Sequence, residues 1–269
     1  MVPNESKGNV EHTRAALRIY TLGGFRVLRD GLPVDPKAWG RDKALHLFQF
    51  LVTNRERYTH KEQIIDQLWP QASLEAGDRD FRVALNAVYR ALEPDRAPRA
   101  EARFINRVDL AYGLDSSQVW VDADAFEAYL STANRILPVD IATAIENYRA
   151  AIALYHGEYL PDRRYEDWVA SERERLGILA LSGMTTLAEL EVEHEPREAL
   201  RLSQRVLAQE PLWEEAYRAQ MRAYQALGNR PMAMRTYMAC LAVLNDALSI
   251  EPLPETQRLY LEIKGNGRR

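Results

Sequence analysis

Residues 78–92 read DRDFRVALNAVYRAL, and this stretch decides the fold. Phe81, Ala84, Leu85, Val88 and Leu92 recur at three- and four-residue steps, which draws one apolar stripe along a helix. The opposite face carries Arg79, Arg82, Asn86, Tyr89 and Arg90. Arg and Asn have the donor geometry that suits base edges and phosphates. A solvated amphipathic helix is the commoner source of such a pattern, and Asp78 and Asp80 dilute the charge. The flanking sequence tips the reading toward a recognition helix that rests on a small core and offers its polar face to DNA.

Upstream, Leu17–Val27 holds short β-prone runs broken by Gly23-Gly24. Asp30-Gly31 is a hairpin signal, and Leu32-Pro33-Val34 returns as a short strand. Helical pattern begins at Arg41, with Ala44, Leu45, Leu47, Phe48, Leu51 and Val52 as a broad buried face. Thr59 with Glu62 reads as a capping box for a second helix that buries Ile64, Ile65, Leu68 and Trp69 and ends at Pro70. Residues 71–77 read as a loop and Asp78–Leu92 as the third helix. Phe104–Arg107 and Ala111–Leu114 follow as two strands joined by a tight turn. Sheet, three helices and a C-terminal hairpin is the element order of a winged helix-turn-helix, in which the third helix enters the major groove and the hairpin, the wing, meets the neighbouring backbone.

The bulk numbers fit this division. A chain of 269 residues, 46% hydrophobic and 28% charged, accommodates two domains. The net charge is -4, yet residues 14–115 carry 17 Lys+Arg against 14 Asp+Glu, while residues 116–269 carry 17 against 23. The basic excess therefore lies with the candidate recognition helix, and it is small enough that DNA binding must depend on where charges are placed. No apolar run approaches membrane-spanning length, so a cytoplasmic protein without membrane partners is expected. The single cysteine, Cys240, lies in a helical apolar pattern and reads as a small core residue.

From Asp122 to about Lys264 the sequence is helical throughout. The expected helices are one opened by Asp122 and Asp124, then Ile141–Tyr155, Glu166–Val192, Arg197–Ala208, Trp213–Leu227, Met232–Leu248 and Glu255–Ile263. Leu187 and Met221, Leu190 and Tyr224, Ala199 and Ala233, and Val206 and Cys240 are each 34 residues apart. That period, with small residues where helices approach, resembles tetratricopeptide repeats, whose solenoids present a concave face. The expected organisation is a flexible arm at 1–15, a winged helix-turn-helix DNA-binding domain at 16–116, and an all-α tetratricopeptide-like domain at 117–265.

Taken in order, LGGFRV (22–27), the Leu68-Trp69-Pro70 helix end, FRVALNAVYRAL (81–92), VDADAFE (121–127), GEYLPD (157–162), the Glu166–Leu176 stretch and IEPLPETQRLYLEI (250–263) resemble the bacterial transcriptional activator family of Streptomyces antibiotic regulatory proteins. The resemblance spans roughly 17–263. It implies an OmpR-type winged helix joined to a bacterial transcriptional activator domain, promoter binding at direct repeats, contact with RNA polymerase, and a homodimer on double-stranded DNA. On the third helix it implies Arg82 and Asn86 at base edges and Arg79 and Arg90 at phosphates. Lys43 and Lys61, near the starts of the first two helices, are further phosphate candidates, with plain solvation an even alternative. The loop 70–77 is the candidate activation surface. The wing departs from the pattern: Tyr112 and Leu114 match, but Gly113 stands where members usually carry Arg, and Asp109 adds negative charge at the turn. Arg103 and Arg107 remain as its cations.

Catalysis finds little support. The five histidines are scattered, and there is no phosphate-binding loop, metal-ligand spacing or dinucleotide motif, so neither an enzyme nor a bound cofactor is expected. The alternative to a DNA-reading regulator is a tetratricopeptide-type interaction scaffold, or a ligand-sensing module, without direct DNA reading.

Overall fold

A computed structural model describes residues 15–265; the expected N-terminal arm therefore lies almost wholly outside the described residues. Strands β1 (Leu17–Tyr20), β2 (Arg26–Arg29) and β3 (Leu32–Pro33) form the expected meander. The turn between β2 and β3 has positive φ at both Asp30 (48°) and Gly31 (82°), which is what a tight two-residue hairpin requires. Helices α1 (Asp42–Thr53), α2 (Lys61–Leu68) and α3 (Leu74–Leu92) follow, and then the hairpin of β5 (Ile105–Val108) and β6 (Ala111–Leu114). This is a winged helix-turn-helix.

Two strands extend these sheets in places the sequence does not advertise. Thr59–His60 form β4, which pairs with β6 through Thr59 opposite Tyr112 and His60 opposite Ala111. Thr59 is thereby drawn into the sheet and is not the cap of α2. His60 takes that role, its Nδ1 accepting from the Glu62 N–H at 3.3 Å. Val119–Val121 form β7, which lies parallel to β1 with Leu17 opposite Val119, giving the order β3-β2-β1-β7.

The third helix begins one turn earlier than its apolar stripe announces. Ser73 is the cap, its Oγ accepting from the Ala76 N–H, and Leu74 starts the helix. The early start depends on Gly77, where a Cβ would lie 2.6 Å from Ile65 Cγ2. Helix α3 thus lies against α2 closely enough that only glycine fits. Alanine is favoured over glycine in a helix by about 1 kcal/mol, but overpacking costs about 1–3 kcal/mol, and a β-branched residue such as Ile65 strongly prefers one χ1 rotamer in a helix. Gly77→Ala is therefore expected to lower thermal stability by a few degrees, as read by calorimetry; an unchanged or raised melting temperature would show the approach to be looser than this geometry.

Helix α1 is buried nearly all round, and the reason lies far along the chain. The described residues through Ala125 form one compact unit together with Leu154–Leu176. Phe48 stacks on Trp39 at 5.1 Å, while His46 and Phe50 both meet Trp168 at 5.5 Å. Arg163 donates to Gln49 Oε1 at 2.6 Å and pairs with Asp42 at 2.7 Å. The hydroxyls of Tyr159 and Thr53 lie 3.0 Å apart, and burial pushes the Tyr159 phenol well above its usual pKa. Backbone bonds from Gly23 to Glu158 and from Leu160 to Thr21 tie the same segment to the end of β1. Asp122, 1% exposed at the start of α4 (Asp122–Ile136), accepts from the N–H and hydroxyl of Thr21 and from the Leu22 N–H at 2.6–3.0 Å.

This arrangement gives the unit an acid-sensitive point. Burial, and next the charge of Arg163, hold the His46 imidazole below its ordinary pKa of 6.5, against the pull of the Glu166 carboxylate 3.3 Å away. A depressed folded pKa means that the folded state disfavours the charged ring. The stability this contributes is present above the unfolded pKa and is lost as pH falls from there through the depressed folded pKa. Between pH 7 and 5 the wild-type protein should lose more stability than His46→Gln in urea titrations; equal losses would exclude His46 as the source.

The second compact unit comprises Phe126–Ala153 and the described residues from Gly177. Its helices belong to the run of α4, α5 (Ile141–Leu154), α6 (Asp167–Glu191), α7 (Pro196–Gln209), α8 (Glu214–Ala226), α9 (Arg230–Leu248) and α10 (Pro254–Gly265). The 34-residue correspondences fall at helix contacts: Leu187, Met221, Ala199, Ala233, Val206 and Cys240 are all buried. Consecutive helices α7 to α10 lie against one another as a tetratricopeptide-like array. Met221, Ala233, Leu259 and Ile263 form one core cluster and Tyr217, Cys240 and Leu244 another. Burial pushes the Cys240 thiol up to about 12, as expected of a packing residue.

Candidate nucleic-acid interface

The apolar stripe of α3 is held down by Phe81, Ala84, Leu85, Val88 and Leu92, all buried, with the Phe81 ring edge-on to Tyr112 of β6 at 5.1 Å. From β2, Arg29 Nη1 caps the end of the helix by donating to the carbonyls of Ala91 and Leu92 at 3.4 and 3.3 Å. With that face fixed, Arg79, Arg82, Asn86 and Arg90 are exposed along the other. Val83, 49% exposed, stands among them. The sequence pattern passes over Val83 because a valine reads as core until neighbouring helices show which side is covered.

Beside this face lies an open cleft of about 480 Å³ lined by Lys61, Arg82, Asn86, Tyr89, Arg107 and Leu110, with Phe81, Leu85 and Tyr112 at its floor. Five residues singled out in the sequence therefore converge here from the start of α2, from α3 and from the wing. Tyr89 is pinned by the Arg96 guanidinium, 4.2 Å from the ring centroid. Burial raises the Tyr89 pKa, so the phenol enters the cleft as a neutral O–H. Arg96 comes from the loop after α3, where nothing in the sequence marks it out from its charged neighbours.

Lys61 and Arg82 share one counter-ion. Both pair with the carboxylate of Asp78, which is 23% exposed between them. The hydrogen bond from Lys61 chiefly, with the charge of Arg82, keeps that carboxyl below the usual aspartate range. Arg79 pairs with Asp80 at 3.0 Å.

The other singled-out residues are placed differently. Lys43 Nζ donates to the Leu68 carbonyl at 2.7 Å and lies over the Trp69 ring, so its charge closes the end of α2. Arg103 is at the base of the hairpin, donating to Gln118 Oε1 at 3.1–3.2 Å. Arg107 Nε donates to the Asp109 carbonyl at 2.6 Å across the wing turn, where Asp109 has φ 52°. The first N–H groups of α2 are occupied as well: Lys61 donates to the Leu110 carbonyl at 2.8 Å and Glu62 to His60. These bonds fix the wing against α2 and leave phosphate binding there to side chains. Gly113 also has a packing reason, since a Cβ would meet Tyr58 Cδ1 at 3.2 Å and the Arg57 carbonyl at 3.4 Å. An arginine at that position would displace the Tyr58 ring.

Among the described residues no group of three or more His, Cys, Asp or Glu is placed to hold a metal ion, and no helix is long and apolar enough to cross a membrane.

A winged helix with its third helix exposed, followed by a tetratricopeptide-like helical array, defines the class of winged-helix transcriptional regulator. Residues 121–264, more than half of the chain, match the bacterial transcriptional activator domain, and the chain belongs to that family, as a regulator of the kind the Streptomyces antibiotic regulatory proteins represent. Among solved structures it is similar to Mycobacterium tuberculosis EmbR in complex with a low affinity phosphopeptide, with a TM-score of 0.79 and 20% identity over 94% of this chain and 66% of that one. At that identity the likeness speaks to fold alone, and this chain spans just under two thirds of the length of that structure. No curated protein matches it.

Proposed function

We propose that this protein is a cytoplasmic transcriptional activator that reads promoter DNA with α3. The observation that carries the reading is the convergence of Lys61, Arg82, Asn86, Tyr89 and Arg107 on one open cleft beside the exposed face of that helix. Arg82 supplies a pair of donors for the guanine edge, Asn86 a donor and an acceptor for the adenine edge, and Val83 an apolar contact for a thymine methyl. Arg79, Arg90, Arg96 and Arg107 flank them as phosphate ligands, and these set the register on the duplex. Lys43 and Arg103, each engaged in closing an element, have smaller parts. Paired protomers would occupy a direct repeat, with half-sites about one helical turn apart.

The segment assigned to polymerase contact is shorter than the sequence implied. The turn after α2 runs over 69–73, and residues 74–77 are already helix. Leu74, 84% exposed at its end, is the apolar anchor such a contact would use. In the helical array Met238, Leu248, Ile250, Leu253 and Leu261 are exposed, each an apolar contact that a protein partner could use. This is the observation that favours the scaffold alternative.

A salt series on a duplex recovered by selection separates the two readings. DNA reading requires affinity to fall steeply as salt rises, and Arg107→Ala should lower the slope of log affinity against log salt by about 1. Binding that ignores salt, or that is confined to protein partners, would favour the scaffold.

A further inference from the structure

Asp78 is out of place on a surface meant for a polyanion. It lies on α3, outside the residues that line the cleft, and its carboxylate holds two of the cations that do, Lys61 from α2 and Arg82 from the first half of α3. The Arg82 pair is an i,i+4 contact along one helix, while the Lys61 pair bridges two helices. Arg82 remains 71% exposed while Asp78 engages its Nη2. A guanidinium has five N–H donors in a planar fork, so a carboxylate on one nitrogen restrains the group and leaves the remaining donors to face a base.

We infer that Asp78 is a positioning residue that sets sequence discrimination: it neutralises Lys61 and Arg82 toward arbitrary phosphates and aims the Arg82 guanidinium at guanine. The inference rests on the DNA-reading function proposed above. Its logic is one of opposed effects. On a non-cognate duplex the gain is phosphate neutralisation, and a carboxylate between two lysine and arginine charges removes part of it. On the cognate duplex Arg82 binds a base edge, where a restrained guanidinium helps and Nη2, which carries two N–H groups, can keep one on Asp78 and turn the other to the base. One residue thus weakens binding to the wrong sequence while supporting the right one, which is how a binder gains specificity beyond adding contacts.

The test uses the full chain, the most enriched duplex from a random pool, and a scrambled duplex of the same length. Asp78→Asn keeps the size of the side chain and removes the charge. The scrambled duplex should bind about tenfold tighter with a salt slope steeper by about 1–2, while cognate affinity stays level or falls. Discrimination therefore drops about tenfold. Asp78→Glu, which keeps the charge, should restore most of it. In an Arg82→Ala background, Asp78→Asn frees only Lys61, which should tighten both duplexes about equally and leave discrimination unchanged. Equal tightening on both duplexes would reduce Asp78 to bulk charge and overturn the inference, as would no change on either. A further loss of discrimination in the Arg82→Ala background would also overturn it. If the wild-type protein enriches no sequence, the DNA-reading function fails first, and this inference goes with it.

Discussion

Arg82→Ala combined with Asn86→Ala is expected to abolish sequence-specific DNA binding while leaving the fold intact. Both side chains are exposed on α3, whose stability comes from the opposite face, where Phe81, Val88 and Leu92 are 1% exposed or less. Substituting exposed helical positions with alanine changes stability by only about 0.5 kcal/mol. Each bidentate base contact contributes about 1–3 kcal/mol of discrimination, so losing two removes about 2–6 kcal/mol, which at 1.4 kcal/mol per tenfold is roughly 30-fold to more than 10,000-fold. A gel-shift titration on the selected duplex, with circular dichroism to confirm folding, measures both halves of the prediction. A folded double variant that shifts the duplex as the wild type does would remove α3 from the reading role. The single substitutions should differ in kind, with Arg82→Ala relaxing selection for guanine and Asn86→Ala relaxing selection for adenine at their respective positions.

The second large effect is on stability. Asp122→Ala is expected to destabilise the protein by about 3 kcal/mol or more, because it strands three donors at once. The Thr21 N–H, the Thr21 hydroxyl and the Leu22 N–H all end on this one buried carboxylate. An unsatisfied buried donor costs about 1–3 kcal/mol, and whole domains are stable by only about 5–15 kcal/mol. Asp122→Asn should do little better, since its amide turns a donor toward groups that need an acceptor. Asp124, two residues on, is the control. Its partner Arg55 is largely buried, but the carboxylate itself is 53% exposed, and exposed ion pairs contribute about 0–1 kcal/mol. Melting temperatures of the two alanine variants should therefore separate by several degrees. Equal values would mean that water replaces Asp122 at the end of β1.

The contrast between Asp122 and Asp124 marks where sequence reasoning stops. Periodicity located α3, its buried stripe and its polar face, since those are properties of residues three and four apart. Turn chemistry located the hairpins at Asp30-Gly31 and in the wing. The 34-residue spacing located residues such as Ala199 and Ala233, whose small side chains let helices approach. Each of these is local, or repeats locally. Asp122 looks in sequence like any acidic residue opening a helix, and its bond to Thr21 closes over a hundred residues of chain. The return of 154–176 to α1 through Arg163, Trp168 and Tyr159 is equally non-local, which is why α1, read in sequence as having one broad buried face, is buried on nearly every side. The short strands β4, of two residues, and β7, of three, are too brief to announce their pairing in sequence, and their partners β6 and β1 lie far along the chain.

In the candidate site the division is similar. The cations were readable as residue types on one helical face. Which of them are committed elsewhere was not, because Lys43 is engaged by a carbonyl 25 residues on and Arg103 by Gln118. Arg96 and Val83 gain their significance only from the Tyr89 ring and from the exposed centre of α3. Asp78 reads in sequence as a dilution of the basic face; in space it is the shared partner of Lys61 and Arg82.

The central claim is that α3 reads DNA sequence, and selection of bound duplexes from a random pool at near-physiological salt tests it most directly. The account predicts an enriched motif containing guanine and adenine steps, arranged as a direct repeat with half-sites about one helical turn apart, and no enrichment by Arg82→Ala/Asn86→Ala. A folded wild-type protein that enriches nothing would contradict it, and the exposed apolar positions of the helical array would then be the place to look for a protein partner.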